Sequence, residues 1–288
     1  MILMDGPMGT QLNHRGVTTS LPLWSATAIE DAPEVLSQIH SEYSAAGATV
    51  HTTNTFRTKA RNVGPRWRRW TAQAIQITHQ AIPSDALVAG SLSPLEDCYR
   101  PDLSPVEHDP KGCQREHLDM AQELAAGGCD LILCETFPNT DEVIVAVTAA
   151  VSTGLPVWLA MTAGPNADLL TPLQLVEGAR RTIDVGAAAV LVNCTPATKT
   201  LPFVAALGDA KLSVPIGAYA NAGHIDEKIG WRSPEQPGVQ EAVRAYVHAT
   251  ESWADAGATI LGGCCGTGPE HIAGLYDRWF GNLSDSQS

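Results

Sequence analysis

AAGGCDLILCETF, residues 125–137, holds the fold in miniature. The amphipathic stretch before it, HLDMAQELAAG from His117, runs out in small residues and glycine, and an apolar run bearing a polar tip follows. Glycine at such a joint suits the C-terminus of a helix. A short, continuously apolar run suits a strand covered on both faces, as in a parallel sheet packed by helices. The same joint recurs as AAGATVHTTNTF from Ala45, TGLPVWLAMTAG from Thr153, VGAAAVLVNC from Val185 and AGATILGGCC from Ala256. Weaker runs, ILMD from Ile2, ALVAGS from Ala86 and VPIGAYA from Val214, complete eight strands. Their expected C-terminal ends are Asp5, Asn54, Ser91, Glu135, Thr162, Cys194, Tyr219 and Gly262. Helical patterns lie between them, among them PEVLSQIHSEYSAAG, TPLQLVEGARRTIDVG and VQEAVRAYVHATESWADAG.

Eight alternating units in 288 residues predict an α/β protein, a (β/α)8 TIM barrel in a single domain over residues 1–280, with 281–288 a frayed tail. A doubly wound open sheet is the other arrangement with this alternation. Against it, no G-x-G-x-x-G follows the first strand and no phosphate-binding P-loop pattern occurs. Two connections are long: 91–112, with four prolines, and 221–238. Each reads equally as a lid or as a plain surface excursion.

With 18 Lys and Arg against 31 Asp and Glu, the net charge of -13 repels phosphate backbones, so no nucleic-acid partner is expected. The basic run RTKARNVGPRWRRW from Arg57 is read as a solvated face with Trp67 and Trp70 packed inward. No run of apolar residues is long enough to span a membrane. The opening MILMDGPMGT carries no basic leader pattern, which leads to the expectation of a cytoplasmic protein.

Seven cysteines, an odd count, argue against a disulfide framework. Cys129 and Cys134 flank an apolar strand and read as core; Cys98 and Cys113 receive no role. The chemistry gathers in GGCCGTG, residues 262–268, where glycines allow a sharp turn that can aim two adjacent thiols at one centre. Cys194 ends a strand two places away in the barrel, on the rim where barrel enzymes place their sites. Three thiols on one rim point to zinc, Zn2+, held by Cys194, Cys264 and Cys265 with a fourth corner open. The alternatives are a vicinal disulfide or small buried residues. A zinc quenched by three thiolates suits a fourth, incoming thiol better than water. The complement of the resulting nucleophile is a cationic electrophile such as a sulfonium, and methyl transfer follows. His14, His51, His224 and His271 are read as surface or cap residues.

The motifs DGPMGT (5–10), LWSA (23–26), TNTF (53–56), CETFPN (134–139), VNC (192–194), YANAG (219–223) and GGCCGTGPEHI (262–272) span nearly the whole chain. In them the chain resembles the zinc-dependent homocysteine S-methyltransferases, most of all the single-domain members that use S-methylmethionine or S-adenosylmethionine. The resemblance implies that Cys194, Cys264 and Cys265 hold zinc, that homocysteine sulfur takes the open place, and that methionine is the product. It also implies that Asp5 and Glu135 receive the substrate ammonium; the plainer reading of either is a helix cap or a partner for Arg. Asn54 and Asn221 are read as substrate-binding residues, and they and Asn193 as orienting the substrate groups or the thiolates, with turn formation the plainer reading.

Three departures bear on the substrates. Pro7 stands where the family has Ala or Gly, so an amide N–H that could hold the substrate carboxylate is lost. Ser93 replaces a glycine after the third strand. Thr136 stands where betaine-using relatives carry an aromatic, which disfavours betaine. The rival readings are methyl transfer to another thiol or selenol, a non-catalytic zinc or amino-acid-binding barrel, and a metal-free lyase with Glu135 as base.

Overall fold

The computed structural model describes residues 1–222 and 238–281. His224, most of the 221–238 connection and the tail from 282 lie outside the described residues. The strands are β1 (Ile2–Leu3), β2 (Val50–Thr52), β3 (Leu87–Leu92), β4 (Leu131–Phe137), β5 (Val157–Met161), β6 (Ala189–Pro196), β7 (Ile216–Asn221) and β8 (Ala258–Gly263). The helices between β1 and β3 are α1 (Met8–His14), α2 (Ala28–Asp31), α3 (Pro33–Ala45), α4 (Ala60–Val63) and α5 (Trp67–Ala81). After β3 come α6 (Pro110–Ala126), α7 (Thr140–Val151), α8 (Pro172–Asp184), α9 (Ala197–Asp209), α10 (Val239–Asp255) and α11 (Pro269–Phe280).

All strand pairs are parallel, in the order β1-β8-β7-β6-β5-β4-β3-β2. The ring closes through a parallel bridge between Met4 and Val50, with Asp5 N donating to Val50 O at 3.0 Å and Thr49 N to Leu3 O at 2.8 Å. This is the expected (β/α)8 barrel; the first strand is simply too short to pair along its length.

Local chemistry starts the helices where the pattern suggests. Pro172 opens α8 behind a capping box of Thr171 and Gln174, and the Asn139 carboxamide caps α7 by accepting from Asp141 N and Glu142 N. Two apolar layers result. One fills the barrel with Met4, Val50, Leu131, Leu133, Leu191 and Ile260; the other lies between sheet and helices and takes in Cys129, Cys134 and the inward-packed Trp67 and Trp70. The basic run divides. Arg61, Arg66, Arg68 and Arg69 pair on the surface with Glu30, Glu96, Glu116 and Glu123, as a solvated face should, but Lys59 is buried and Arg57 turns elsewhere.

The histidine reading needs correction. His51 and His271 are buried, at 0% and 3% exposure, as is His40 at 1%. Alternation along β2 sends Val50 into the barrel and His51 outward, onto α3, where its ring meets that of His40 edge-on at 6.2 Å. His271 does serve as a cap: its Nδ1 accepts from Gly268 N at 3.1 Å at the start of α11. Burial pushes His40 down from 6.5 to about 3, and His51 and His271 to about 4. The unfolded chain therefore takes up protons below about 6.5 that the folded chain refuses. The stability these rings contribute is full above that pH and falls as the pH drops toward 4, by up to about 1.4 kcal/mol per pH unit for each ring. Melting curves should show Tm declining below about pH 6.5, and less steeply in His40→Gln; superimposable profiles for the two proteins would contradict this.

Candidate metal centre and substrate cavity

The C-terminal ends of the strands surround a cavity of about 400 Å³. Its wall includes Asp5, Asn54, Glu135, Cys194, Cys264 and Cys265, bringing six residues singled out in the sequence to one space. Asn221 stands outside that wall and donates its amide to Cys194 O at 3.1 Å. Asn54 faces the cavity with its amide committed, accepting from Ser25 Oγ at 2.7 Å and donating to Ser25 O at 2.9 Å. It pins the segment before α2.

Irregular backbone aims the thiols. Strand β6 shifts register between Asn193 and Pro196, and Cys194 inside the shift has φ 48°. Strand β4 shifts likewise between Cys134 and Phe137, with Thr136 at φ 63°. Such left-handed positions cost a non-glycine residue about 1–2 kcal/mol, and bulges at barrel rims re-aim side chains. The two bulges are tied together. Asn193 Nδ2 donates to Thr136 Oγ1 at 2.8 Å and lies 3.6 Å from Cys194 Sγ, which is 3.7 Å from Thr136 Oγ1. After β8, Thr267 N donates to Cys264 O at 3.1 Å, closing a turn in which Gly266 takes φ 83°. That conformation at the third turn position favours glycine.

Cys194 Sγ and Cys264 Sγ are 2.7 Å apart, across 70 residues of sequence. Cys265 lines the same cavity, and interaction with Cys194 and Cys264 lowers its thiol pKa, while the contact with Cys264, then Cys265 and burial, push Cys194 up. Thiols drawn together in this way are soft donors that a soft cation can bind by displacing their protons. All seven cysteines are free thiols. The donor set fits zinc; the ligands of one ion stand farther apart than 2.7 Å, so loading would part these sulfurs. Among the described residues, two buried groups bring possible ligand atoms within 4.8 Å of one another, Asp5–His40–His51 and Cys113–His117–Glu142. Cys113, given no role from sequence, therefore sits in a polar cluster where Glu142 also accepts from Leu95 N at 2.8 Å.

The two carboxylates line the same cavity as the sulfurs. Glu135 accepts from Ser91 Oγ at 2.5 Å and from Tyr219 Oη at 2.9 Å; burial raises its pKa, and these two bonds oppose the rise. Asp5 Oδ2 accepts from Thr52 N at 2.9 Å, and burial pushes this carboxyl up to about 8. Ser91 and Tyr219 were legible only as strand ends; nothing in sequence marks them as partners of Glu135. Trp24, Phe56, Tyr99 and Cys98 also face the cavity, so the long 91–112 connection furnishes part of its wall. Among the described residues no helix is long and apolar enough to cross a membrane.

A family model described as homocysteine S-methyltransferase matches residues 2–279. The homocysteine S-methyltransferase of Escherichia coli K12 is 27% identical, over 96% of this chain and 95% of its own. The S-methylmethionine–homocysteine S-methyltransferase BHMT2 of Pongo abelii is 28% identical, over 96% of this chain and 78% of its own. In structure, the metallated form of the E. coli homocysteine methyltransferase MmuM superimposes with a TM-score of 0.79 at 23% identity, covering 96% of each chain.

Proposed function

The chain belongs to the homocysteine S-methyltransferase family, and on that premise we propose that it moves a methyl group from a sulfonium donor, S-methylmethionine or S-adenosylmethionine, to homocysteine. The observation that carries this reading is that Cys194 from β6 meets Cys264, just after β8, in a cavity that Cys265 and two buried carboxylates also line. Cys194, Cys264 and Cys265 would hold one zinc ion. Bound there, zinc would supply a Lewis acid that keeps a fourth thiol deprotonated at neutral pH.

The chain's own residues do the rest. Asp5 and Glu135 receive the α-ammonium group of homocysteine. Asp5, raised to about 8, carries a proton in the free cavity near neutrality and surrenders it as the ammonium arrives. Ser91 and Tyr219 fix Glu135 so that its charge faces the amine without searching. Trp24 and Tyr99 put aromatic rings in the cavity wall, and they and the carboxylates attract the charge of the sulfonium. A carbon–sulfur bond forms to homocysteine as the donor's breaks, the electron pair stays on the donor sulfur, and the thiol proton is released. Thr136 and Asn193 orient Cys194. The whole chain is read as one catalytic domain, and the free thiols suit a reducing cytoplasm.

Purified protein should contain about one zinc per chain and form methionine from homocysteine with at least one sulfonium donor. Competition among thiols separates homocysteine from other thiol or selenol acceptors. Full activity after rigorous chelation, or tight binding with no methylated product from any donor, would contradict the proposal.

A further inference from the structure

Arg57 is singular among the arginines of its run: it turns into the cavity that holds the carboxylates and thiols. It is half-buried, its Nε is buried with no hydrogen-bond partner, and its guanidinium lies 5.5 Å from the Phe56 ring centroid. Among the described residues no carboxylate stands within ion-pairing distance of it, whereas Arg61, Arg66, Arg68 and Arg69 each have one. An unsatisfied guanidinium N–H buried in a binding cavity is costly unless a ligand completes it. Its planar fork matches a carboxylate. Pro7, where α1 begins, also lines the cavity and contributes no N–H.

We propose that Arg57 is the specificity-determining residue that binds the α-carboxylate of an amino-acid substrate in this cavity. The inference rests on the methyl-transfer reading and deepens it. If the ligand is homocysteine, the zwitterion would be held at both ends, its ammonium by Asp5 and Glu135 and its carboxylate by Arg57. Both homocysteine and an amino-acid sulfonium donor carry that carboxylate, and the test separates them.

Wild type, Arg57→Met and Arg57→Lys are compared on two pairs of ligands. The acceptor pair is homocysteine and 3-aminopropane-1-thiol, its decarboxylated counterpart. The donor pair is S-methylmethionine and (3-aminopropyl)dimethylsulfonium. For one pair, wild type should favour the carboxylate-bearing member by roughly ten- to a hundredfold in kcat/KM, the worth of a charge-assisted hydrogen-bonded pair. In Arg57→Met that preference should fall to near unity while the ratio for the other pair stays unchanged; Arg57→Lys should lie between. Loss in the acceptor pair assigns the homocysteine carboxylate, and loss in the donor pair assigns that of the donor. Both ratios unchanged in Arg57→Met would overturn the proposal, and a general loss of activity that leaves them intact counts the same way. If wild type forms no methionine from any donor, the methyl-transfer reading fails instead. Calorimetric affinities for the same four ligands then decide the role of Arg57 by the same ratios.

Discussion

Replacing Cys264 by serine should empty the metal site and stop turnover together. Cys264 lies against Cys194, is buried, and is followed by the turn that places Cys265. A serine hydroxyl keeps the volume and gives up the soft, readily ionised donor that zinc favours. Loss of an outer-shell partner costs about 10–100-fold in metal affinity or activity, and loss of a ligand should exceed that. Metal analysis and a methionine assay on one preparation check the result, with melting curves to establish that the barrel persists. Retained zinc with normal turnover would remove Cys264 from the site.

Glu135→Gln should raise KM for homocysteine roughly a hundredfold, the equivalent of about 3 kcal/mol for removing one charge of a buried, hydrogen-bonded ion pair. The amide keeps the shape, so Ser91 and Tyr219 retain a neighbour and the fold is spared. With saturating homocysteine kcat should change far less, because the ammonium is bound alike before and during transfer. An unchanged KM would deny Glu135 its role, and a loss confined to kcat would favour a base at this position.

The barrel was readable because its signal is redundant: the helix–glycine–strand joint recurs, and LIL in β4 is apolar on both faces since helices and barrel interior both cover it. That Cys194 and Cys264 meet, with Cys265 in the same cavity wall, was readable from strand-tip position. What aims Cys194 was not. The left-handed turns at Thr136 and Cys194 fall on residues with no preference for them, held by a contact between two bulges that only the folded rim creates. His51 hid in the alternation of a three-residue strand, and Arg57 hid in a basic run whose neighbours are ion-paired at the surface. Asn54 and Asn221 were rightly placed near the rim, yet their amides hold Ser25 and Cys194 O.

The most direct test is X-ray absorption at the zinc edge of the purified holoenzyme, before and after homocysteine is added. Three protein sulfurs around the metal should become four. A count that does not rise with homocysteine, or a first shell of nitrogen and oxygen from elsewhere in the chain, would contradict the account.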